Sequence, residues 1–556
     1  MRSTLIVLCL VVTACSKTGK QEPSSLAADQ LQSFITDFTA SPGTRRSSAL
    51  DDLSSASFQR ALDKTKAQLK QLHEIDSSML EGDDLIDWKF ANSILAGREL
   101  EQEKMQPWKK DPRLFMAFTG ISDVINRPGD IAGKVAEVKK RLRFAPVQLL
   151  NGQQQLALFV PRFQELSVFM AENGFVLFDK ELPQFIKKTG SDQDSLNYLT
   201  ANARQSLSTF LNFLKTELPK KTQADFAIGA DVYNEMIRRQ YLIPFSADSL
   251  YAFGLAQFDK TVKELEEVAR AIDPKKTWQQ LAIEIKNEYP QPSRMMEAHQ
   301  EWVNKARDHI KSKNLIPIPW SERVNVVPRA EYLRKTSYYG NFSQAVAKDK
   351  DSVFTAEWMI NPFEEQWDAK RKQEYLVEHD WGVIIVTAPH ESYGGHHVQG
   401  LYQLHNPRLL RKSNGISFFS EGWGLYNEHL MQETGFFPNE RIHLRQLQLR
   451  LWRNARVIYD VGMHTGRLTY EQAIQLMTDK VGFLRWAAQL EIDSSTASPG
   501  YFIGYFTGMM EILAMREEFK KRMGEKYSIT DFHQRLLSIG NMPPSLMREA
   551  LMNSIR

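Results

Sequence analysis

Apolar residues recur at intervals of three and four positions along most of this chain. The pattern is clearest in residues 255–272, where charged side chains fill the opposite helical face and the apolar positions are Leu255, Phe258, Val262, Leu265, Ala269 and Ile272. The same period, which is typical of amphipathic helices, runs through residues 199–214, 446–461 and 505–523. We therefore predict a mainly α, multi-helix fold.

Short β-strands are predicted at three places. Residues 323–327, 335–342 and 353–359 alternate in polarity or are rich in β-branched side chains, and both features favour strands. They predict one small sheet between a long helical first half and the last third of the chain. We therefore divide the mature protein into a helical region at residues 27–320 and a second region at residues 321–556, which carries the motifs described below together with the small sheet.

Composition and charge narrow the class of protein. With 556 residues, 42% of them hydrophobic, the chain is long enough to bury a large core, and collagen-like or disordered classes are excluded. Its 70 basic and 67 acidic residues give a formal net charge of +3. Such a balance provides no broad basic surface, so no nucleic-acid partner is predicted.

The first 14 residues have the composition of an export signal. Arg2 precedes an apolar run at residues 5–12, and small residues follow that run, as in a secretory signal peptide. Val-Thr-Ala-Cys at residues 12–15 also resembles the bacterial lipobox, in which Cys15 is lipidated and begins the mature protein. Residues 15–26 would then be the lipidated end and a tether. A plain secretory signal is the alternative.

Lipidation predicts the location of the protein. Ser16 after the lipidated cysteine is similar to proteobacterial sorting signals for the outer membrane, so the protein is expected to face the periplasm. No stretch beyond residue 27 is apolar and long enough to predict a transmembrane helix. Because Cys9 and Cys15 are the only cysteines, processing would leave no pair for a disulfide.

Three histidines cluster after the apolar run at residues 382–386. They are His390, His396 and His397, and Glu391 follows the first of them. Zinc in hydrolases commonly takes two histidines and one carboxylate, and an adjacent glutamate can remove a proton from water. The cluster therefore predicts a zinc site. Ordinary core or surface histidines in a glycine-interrupted helix are the alternative.

The interval between these histidines requires a distorted helix. The common His-Glu-x-x-His motif separates its two ligands by four residues, but here the interval is six or seven. On an unbroken helix His396 would face away from His390, and His397 would lie roughly 10 Å further along the axis. The pair Gly394-Gly395 tolerates the widened turn or positive φ that a distortion requires.

A third metal ligand is predicted at Glu421, which follows His396 by 25 residues. In the gluzincin superfamily the metal-binding glutamate lies on a separate helix at about this distance. Ser420 has the residue type of an N-cap for a helix that begins at Glu421. The alternative is a carboxylate that only complements the helix dipole.

These motifs resemble the bacterial domain-of-unknown-function 885 family, whose signature is HExxPGHxxQ followed by EGW. The positions that match are His390, Glu391, Gly395, His396, Gln399, Glu421, Gly422 and Trp423, whereas Gly394 replaces the usual proline. The family is similar to helical metallopeptidases. The resemblance therefore implies a large metallopeptidase-like helical fold with His390, His396 and Glu421 as zinc ligands and Glu391 as general base.

The resemblance continues through the last third of the chain and adds further candidates. His464 and Tyr505 are candidates for donating to the oxyanion of the transition state, and a buried structural role is the alternative for each. His397 is expected to support the metal ligands, with direct ligation instead of His396 as the alternative.

Two arginines in the same region are candidates for binding a substrate carboxylate. They are Arg453 and Arg456. The alternatives are a solvated Arg453 and a helical ion pair between Arg456 and Asp460, which are four residues apart.

The sequence therefore predicts a lipid-anchored periplasmic zinc metallopeptidase with a peptide substrate. One alternative is a non-catalytic lipoprotein that retains a metal site. The other is a metal-dependent hydrolase of a different amide or ester bond, for example in cell-wall material.

Overall fold

The computed structural model describes residues 23–40, 52–126, 130–329, 334, 340–344 and 352–555. In these ranges the chain is mainly α-helical, as predicted. None of their helices combines the length and the apolar character that crossing a bilayer requires. The predicted signal peptide and Cys15 lie outside the described residues.

Twelve α-helices precede residue 320 in the described chain. They are α1 (Pro23–Ala40), α2 (Ser55–Glu74), α3 (Gly82–Leu100), α4 (Gly120–Asn126), α5 (Ile131–Gln155), α6 (Pro161–Val176), α7 (Leu182–Ile186), α8 (Gln193–Thr216), α9 (Ala230–Arg239), α10 (Ala247–Ile272), α11 (Trp278–Lys286) and α12 (Met295–Ser312). Because α1 begins at Pro23, residues 23–26 of the predicted tether are helical.

Eleven further helices follow in the described residues after residue 320. They are α13 (Ala369–Glu378), α14 (Trp381–Glu391), α15 (His396–Leu404), α16 (Leu409–Ser413), α17 (Ser417–Glu433), α18 (Glu440–His464), α19 (Tyr470–Gln475), α20 (Arg485–Thr496), α21 (Ile503–Met523), α22 (Ile529–Ile539) and α23 (Pro544–Asn553). The four amphipathic segments identified by their apolar period lie in α8, α10, α18 and α21, which confirms these helix predictions.

The strands form two small sheets. They are β1 (Leu158–Phe159), β2 (Thr222–Gln223), β3 (Glu322–Pro328), β4 (Asn341–Ser343) and β5 (Phe354–Ile360). In the larger sheet β5 pairs parallel with β3 and antiparallel with β4, so the order is β3-β5-β4.

The strand predictions are confirmed at residues 323–327 and 353–359. In the predicted strand 335–342, residues 335–339 lie outside the described residues, and of the remaining three Asn341 and Phe342 belong to β4. The predicted small sheet is present as β3, β5 and β4, and β1 and β2 form a further two-residue ladder that was not predicted. Strands of two residues are too short to show an alternating pattern.

Several hydrophobic clusters stabilise the described fold. The largest draws side chains from both sides of residue 320, including Leu31 of α1 and Trp423 of α17. A second cluster lies within residues 53–218, in and around α4 to α8. The predicted boundary near residue 320 falls in the loop between α12 and β3, and the division into two regions stays a prediction.

Helix α14 lies in the interior and positions the site. Its apolar residues 382–386 are all buried, as expected for a helix that is hydrophobic on every side. Asp380 caps it by accepting a hydrogen bond from the backbone N–H of Val383 at 3.0 Å. The same carboxylate accepts a hydrogen bond from Arg445 of α18 at 2.9 Å, so the start of α14 is fixed to its neighbour.

Candidate metal centre

The chain turns sharply between the first two histidines of the motif. α14 ends at Glu391 and α15 begins at His396, so the helix is interrupted, which confirms the predicted distortion. Gly394 has a φ of +93°, which side chains rarely tolerate. A Cβ on Gly395 would lie 1.8 Å from the carbonyl oxygen of His390. Both glycines are therefore needed for the turn.

Helix α17 holds this turn in place. The indole N–H of Trp423 donates to the carbonyl of Gly394 at 2.6 Å, and the Asn427 amide donates to the carbonyl of Pro389 at 2.9 Å. At Gly424 a Cβ would lie 2.6 Å from Cε1 of His390, so this glycine leaves room for the imidazole.

The start of α17 differs from the prediction. The helix begins at Ser417 with Ile416 at its N-cap, so the assignment of Ser420 as the N-cap is wrong. The Ser420 hydroxyl donates to the carbonyl of Ile416 at 3.2 Å. Glu421 consequently lies one turn inside the helix.

Four side chains converge beside the turn, and we call them the histidine–glutamate cluster: His390, Glu391, His396 and Glu421. Oε2 of Glu421 lies 3.4 Å from Nε2 of His396 and 3.9 Å from Nε2 of His390. Ligand atoms of His390, Glu391 and His396 lie within 4.8 Å of one another. Bonds of about 2 Å around a tetrahedral zinc separate ligand atoms by roughly 3.3 Å, so Glu421 is the better third ligand, which leaves Glu391 beside the metal position.

A buried carboxylate orients the first imidazole. Nδ1 of His390 lies 2.8 Å from Oε1 of Glu428, whose side chain is fully buried on α17. A hydrogen bond from Nδ1 to a carboxylate leaves the lone pair of Nε2 for a metal. Glu428 follows Glu421 by seven residues and so lies on the same helical face.

The charges of the cluster also fit a bound cation. Burial lowers the pKa of His396, but attraction to the Glu421 and Glu391 carboxylates outweighs burial and raises it. Burial raises the pKa of Glu421, but attraction to His396 outweighs it and lowers it. Glu421 is therefore deprotonated, as a metal ligand must be, and the cluster attracts positive charge. These donors fit zinc.

His397 faces away from the cluster. Its Nε2 lies 3.0 Å from Oε2 of Glu322 on β3, and both side chains are fully buried. Its Nδ1 is buried without a hydrogen-bond partner in the part of the chain that the structure describes. The structure therefore brings His396, and not His397, to Glu421.

Two tyrosines, Tyr501 and Tyr505, lie beside the histidine–glutamate cluster. The Tyr501 hydroxyl donates to Oε1 of Glu421 at 3.0 Å, a contact that sequence reasoning missed. The rings of Tyr501 and Tyr505 meet edge to face with centroids 6.1 Å apart. Burial raises the pKa of Tyr505 well above its ordinary value, so the phenol stays protonated and able to donate.

Both predicted arginines line the cavity into which the histidine–glutamate cluster opens, and both already lie near a carboxylate. Nε of Arg456 donates to Oε1 of Glu491 at 2.7 Å, and Nη2 of Arg453 lies 3.9 Å from Oε1 of Glu428. The alternative of a solvated Arg453 is wrong, because its guanidinium is buried against the Trp452 ring, with Cζ 4.0 Å from the centroid.

Asp460 is occupied elsewhere, so the alternative of an Arg456–Asp460 pair is also wrong. Its Oδ1 accepts hydrogen bonds from the Tyr233 hydroxyl at 2.7 Å and from the backbone N–H of Gly500 at 2.9 Å. These contacts tie α18 to α9 and to the turn that precedes Tyr501.

The structure does not bring His464 to the other candidates. Its ring is fully buried at the end of α18, with Nε2 3.0 Å from the carbonyl oxygen of Ser495. It packs on Tyr233 and Phe226, with centroid distances of 6.3 and 5.8 Å. His464 does not line the cavity of the cluster in the described structure, which does not support a role in oxyanion binding.

The histidine–glutamate cluster opens into a cavity of about 960 Å³, which we call the central cleft. Besides the cluster, side chains of α14, α18, α20 and the edge strand β4 line it. Its size suits a substrate of several residues, since pockets for drug-sized molecules enclose about 300–1,000 Å³.

The fold and site together define a mainly helical protein with a potential metal centre in a large interior cleft. The family described as "Bacterial protein of unknown function (DUF885)" matches residues 38–551. The chain therefore belongs to the DUF885 family, as the motifs predicted.

Two solved structures share the fold over nearly their whole length. "A putative lipoprotein of unknown function" from Shewanella oneidensis is 20% identical with a TM-score of 0.77, and the match covers 95% of this chain and 99% of that one. "The putative lipoprotein" from Colwellia psychrerythraea is 16% identical with a TM-score of 0.73, covering 96% and 99%. No match was found among curated proteins.

Proposed function

We propose that this protein is a zinc-dependent peptidase held at the periplasmic face of the outer membrane by a lipid on Cys15. The observation that carries the proposal is the convergence of Glu421 with His390 and His396, at 3.9 and 3.4 Å. Two imidazoles and one carboxylate facing a cleft are the donor set of catalytic zinc sites that keep a position for water.

His390, His396 and Glu421 would hold the metal. When bound, zinc lowers the pKa of water and polarises a substrate carbonyl. We assign Glu391, the last residue of α14, the removal of the proton from the attacking water and its transfer to the leaving amine. Tyr505 would donate to the carbonyl oxygen as it gains negative charge, and Tyr501 would hold Glu421 in place through its hydrogen bond.

A peptide is favoured over other amides by the strand beside the cluster. β4 is an edge of the described sheet, and its Asn341 and Phe342 line the central cleft. An edge strand offers backbone N–H and C=O groups to an extended chain. The carbonyl of His396 accepts a hydrogen bond at 2.6 Å from Gln344, the residue that follows β4, so the end of the strand is held beside the cluster.

The test of this function is hydrolysis of a mixed peptide library by the zinc-loaded protein, read by mass spectrometry. Wild type should cleave peptides, and Glu391→Gln should retain zinc but lose cleavage by about a hundredfold or more. The matched control is Glu365→Gln, a side chain that is 83% exposed, which should match wild type. Full activity of Glu391→Gln would contradict the base assignment. Zinc binding without cleavage would favour the non-catalytic alternative.

The lipid anchor rests on different observations. Residues 12–15 resemble a lipobox, and the solved structures from Shewanella oneidensis and Colwellia psychrerythraea carry the description "putative lipoprotein". Palmitate labelling of the full chain should mark wild type but not Cys15→Ser. Equal labelling of the two proteins would overturn the anchor.

A further inference from the structure

The central cleft extends well beyond the histidine–glutamate cluster. Val383, Thr387, His390 and Glu391 of α14 all line it, and this spacing places them on one helical face. The eight-residue interval from Val383 to Glu391 corresponds to about 12 Å along the helix axis. The cleft therefore runs from the cluster back towards the start of α14, and we call that part its distal end.

A guanidinium lies at the distal end between two indoles. Cζ of Arg371, on the first turn of α13, lies 5.3 Å from the Trp367 ring centroid and 5.6 Å from that of Trp486. Arg371 and Trp486 both line the cleft. The Arg371 side chain is 36% exposed, and its Nη1 lies 3.8 Å from Oε2 of Glu374, which is too long for a hydrogen bond.

The histidines beside Arg371 carry no charge. His299 and His379 line the distal end, and Nδ1 of each lies 2.8 Å from the carbonyl oxygen four residues earlier in its own helix. Burial lowers the pKa of His379 and, together with repulsion from His379, lowers the pKa of His299 to about 3. Both imidazoles are therefore neutral at physiological pH.

The other arginines of the cleft are either closely paired with a carboxylate or, as in the case of Arg453, buried. Arg334 lies 2.6 Å from Glu364, and Arg456 lies 2.7 Å from Glu491. Arg453 is 3.9 Å from Glu428, the carboxylate that orients His390. Among the described arginines of the cleft, Arg371 thus combines exposure to the cleft with a long, weak ion pair.

We propose that Arg371, held by Trp367 and Trp486, is a subsite for a substrate carboxylate in the part of the central cleft away from the bond that is cleaved. The proposal rests on the proposed peptidase function. An extended peptide spans about 3.3–3.6 Å per residue, so three to four residues cover the 12 Å that the cleft follows along α14. A guanidinium binds a carboxylate through two parallel hydrogen bonds, and stacking on indoles keeps its plane oriented.

The carboxylate could be the C-terminus of the substrate or an acidic side chain, and the test distinguishes the two. Three N-acetylated hexapeptides would be compared: one with a free C-terminus, one amidated, and one amidated with Asp at the last position. Binding would be measured by isothermal titration calorimetry on the zinc-loaded full chain carrying Glu391→Gln, so that no peptide is consumed.

We expect at least one carboxylate peptide to bind about tenfold more tightly than the plain amide, as one charge-assisted pair provides. Arg371→Gln should bring this ratio to about one. Arg371→Lys keeps the charge without the planar fork and should retain part of the ratio. The matched control is Lys370→Gln, the preceding residue of α13 with an 87% exposed side chain, which should leave the ratio unchanged.

The subsite would be overturned if the affinity ratio between the carboxylate and amide peptides persisted in an Arg371→Gln protein with wild-type thermal stability. It would also be overturned if none of the three peptides bound. Failure of the peptidase function is read separately, from hydrolysis by the zinc-loaded wild type. Binding that depends on Arg371 without any hydrolysis would refute the function and leave the carboxylate subsite standing.

Discussion

His390 and His397 belong to the same eight-residue motif, and each contacts a buried carboxylate, yet they face different parts of the molecule. Nδ1 of His390 contacts Glu428, which leaves Nε2 facing Glu421 and the central cleft. Nε2 of His397 contacts Glu322 of the sheet, and its other nitrogen is enclosed. The same residue types therefore form a candidate metal ligand in one place and a packed core contact in the other.

The difference arises from the elements that carry the two rings. The turn at Gly394 separates α14 from α15, so that His390 packs against α17 while His397 packs against β3. An imidazole paired with a carboxylate is thus no sign of catalysis by itself. What distinguishes His390 is that its second nitrogen opens on a cleft beside two further donors.

The largest expected difference between the two histidines is in zinc binding. His390→Ala removes one of three metal ligands, so the zinc content should fall below about one-tenth of an ion per chain. Peptide cleavage should fall by about a thousandfold. His397→Gln should keep one zinc per chain and instead lower the free energy of unfolding by about 2–4 kcal/mol. Elemental analysis and urea unfolding measure both effects. If His397→Gln lost zinc and His390→Ala kept it, His397 and not His390 would be the metal ligand.

The Glu322 side of the comparison predicts a pH dependence of stability. Burial raises the pKa of Glu322, but its contacts with His397, Tyr393 and Arg307 outweigh burial and lower it to about 2. Because the folded pKa lies below the unfolded value of about 4.3, ionised Glu322 stabilises the fold above pH 4.3, and this stabilisation is lost as the pH falls towards 2.

Between pH 7 and pH 2 the contribution of Glu322 to the free energy of unfolding should fall by about 3 kcal/mol. Urea unfolding of wild type and Glu322→Gln at both pH values measures this contribution as the difference between the two proteins. Glu301→Gln, an exposed position on α12, is the control and should follow the wild-type curve. Identical pH profiles for wild type and Glu322→Gln would show that the Glu322 contacts contribute nothing to folding.

On the cleft side, the carboxylate that orients His390 should affect metal affinity moderately. Glu428→Gln keeps the size of the side chain but removes the charge at Nδ1, and zinc should bind about 10- to 100-fold more weakly. Competition with a chelator measures the change. Glu433→Gln on the same helix, whose carboxylate pairs with Arg516, should bind zinc normally. Equal zinc affinity of Glu428→Gln and Glu433→Gln would show that Glu428 does not support the metal site.

The smallest effect is expected at Tyr501. Tyr501→Phe removes one hydrogen bond to Glu421 and should lower kcat/KM by about three- to tenfold, with zinc retained. Tyr198→Phe is the control for the loss of a phenol hydroxyl, because Tyr198 is 73% exposed. An unchanged kcat/KM in steady-state assays would show that the contact has no role in turnover.

Much of the fold could be predicted from the sequence because helices longer than three turns repeat their apolar period several times. α8, α10, α18 and α21 were predictable for that reason, whereas β1 and β2 have two residues each. The break between His390 and His396 was predictable from geometry, since no unbroken helix brings residues six apart to one ion.

The partners of the site were harder to predict because they are distant in sequence. Arg456 pairs with Glu491 on another helix, and not with Asp460 on its own. Periodicity gives the face of a side chain on its helix but not what that face meets, so His464 could not be assigned to the core. The position of Glu428 beside the site could have been predicted, because it lies seven residues after Glu421 on the same helical face.

The central claim is that His390, His396 and Glu421 surround one metal ion. Anomalous diffraction at the zinc edge from crystals of the zinc-loaded protein tests it most directly. We predict a single peak about 2 Å from Nε2 of both histidines and from a carboxylate oxygen of Glu421. A zinc-loaded crystal with no peak there, or with its peak at His397 and Glu322, would contradict the account.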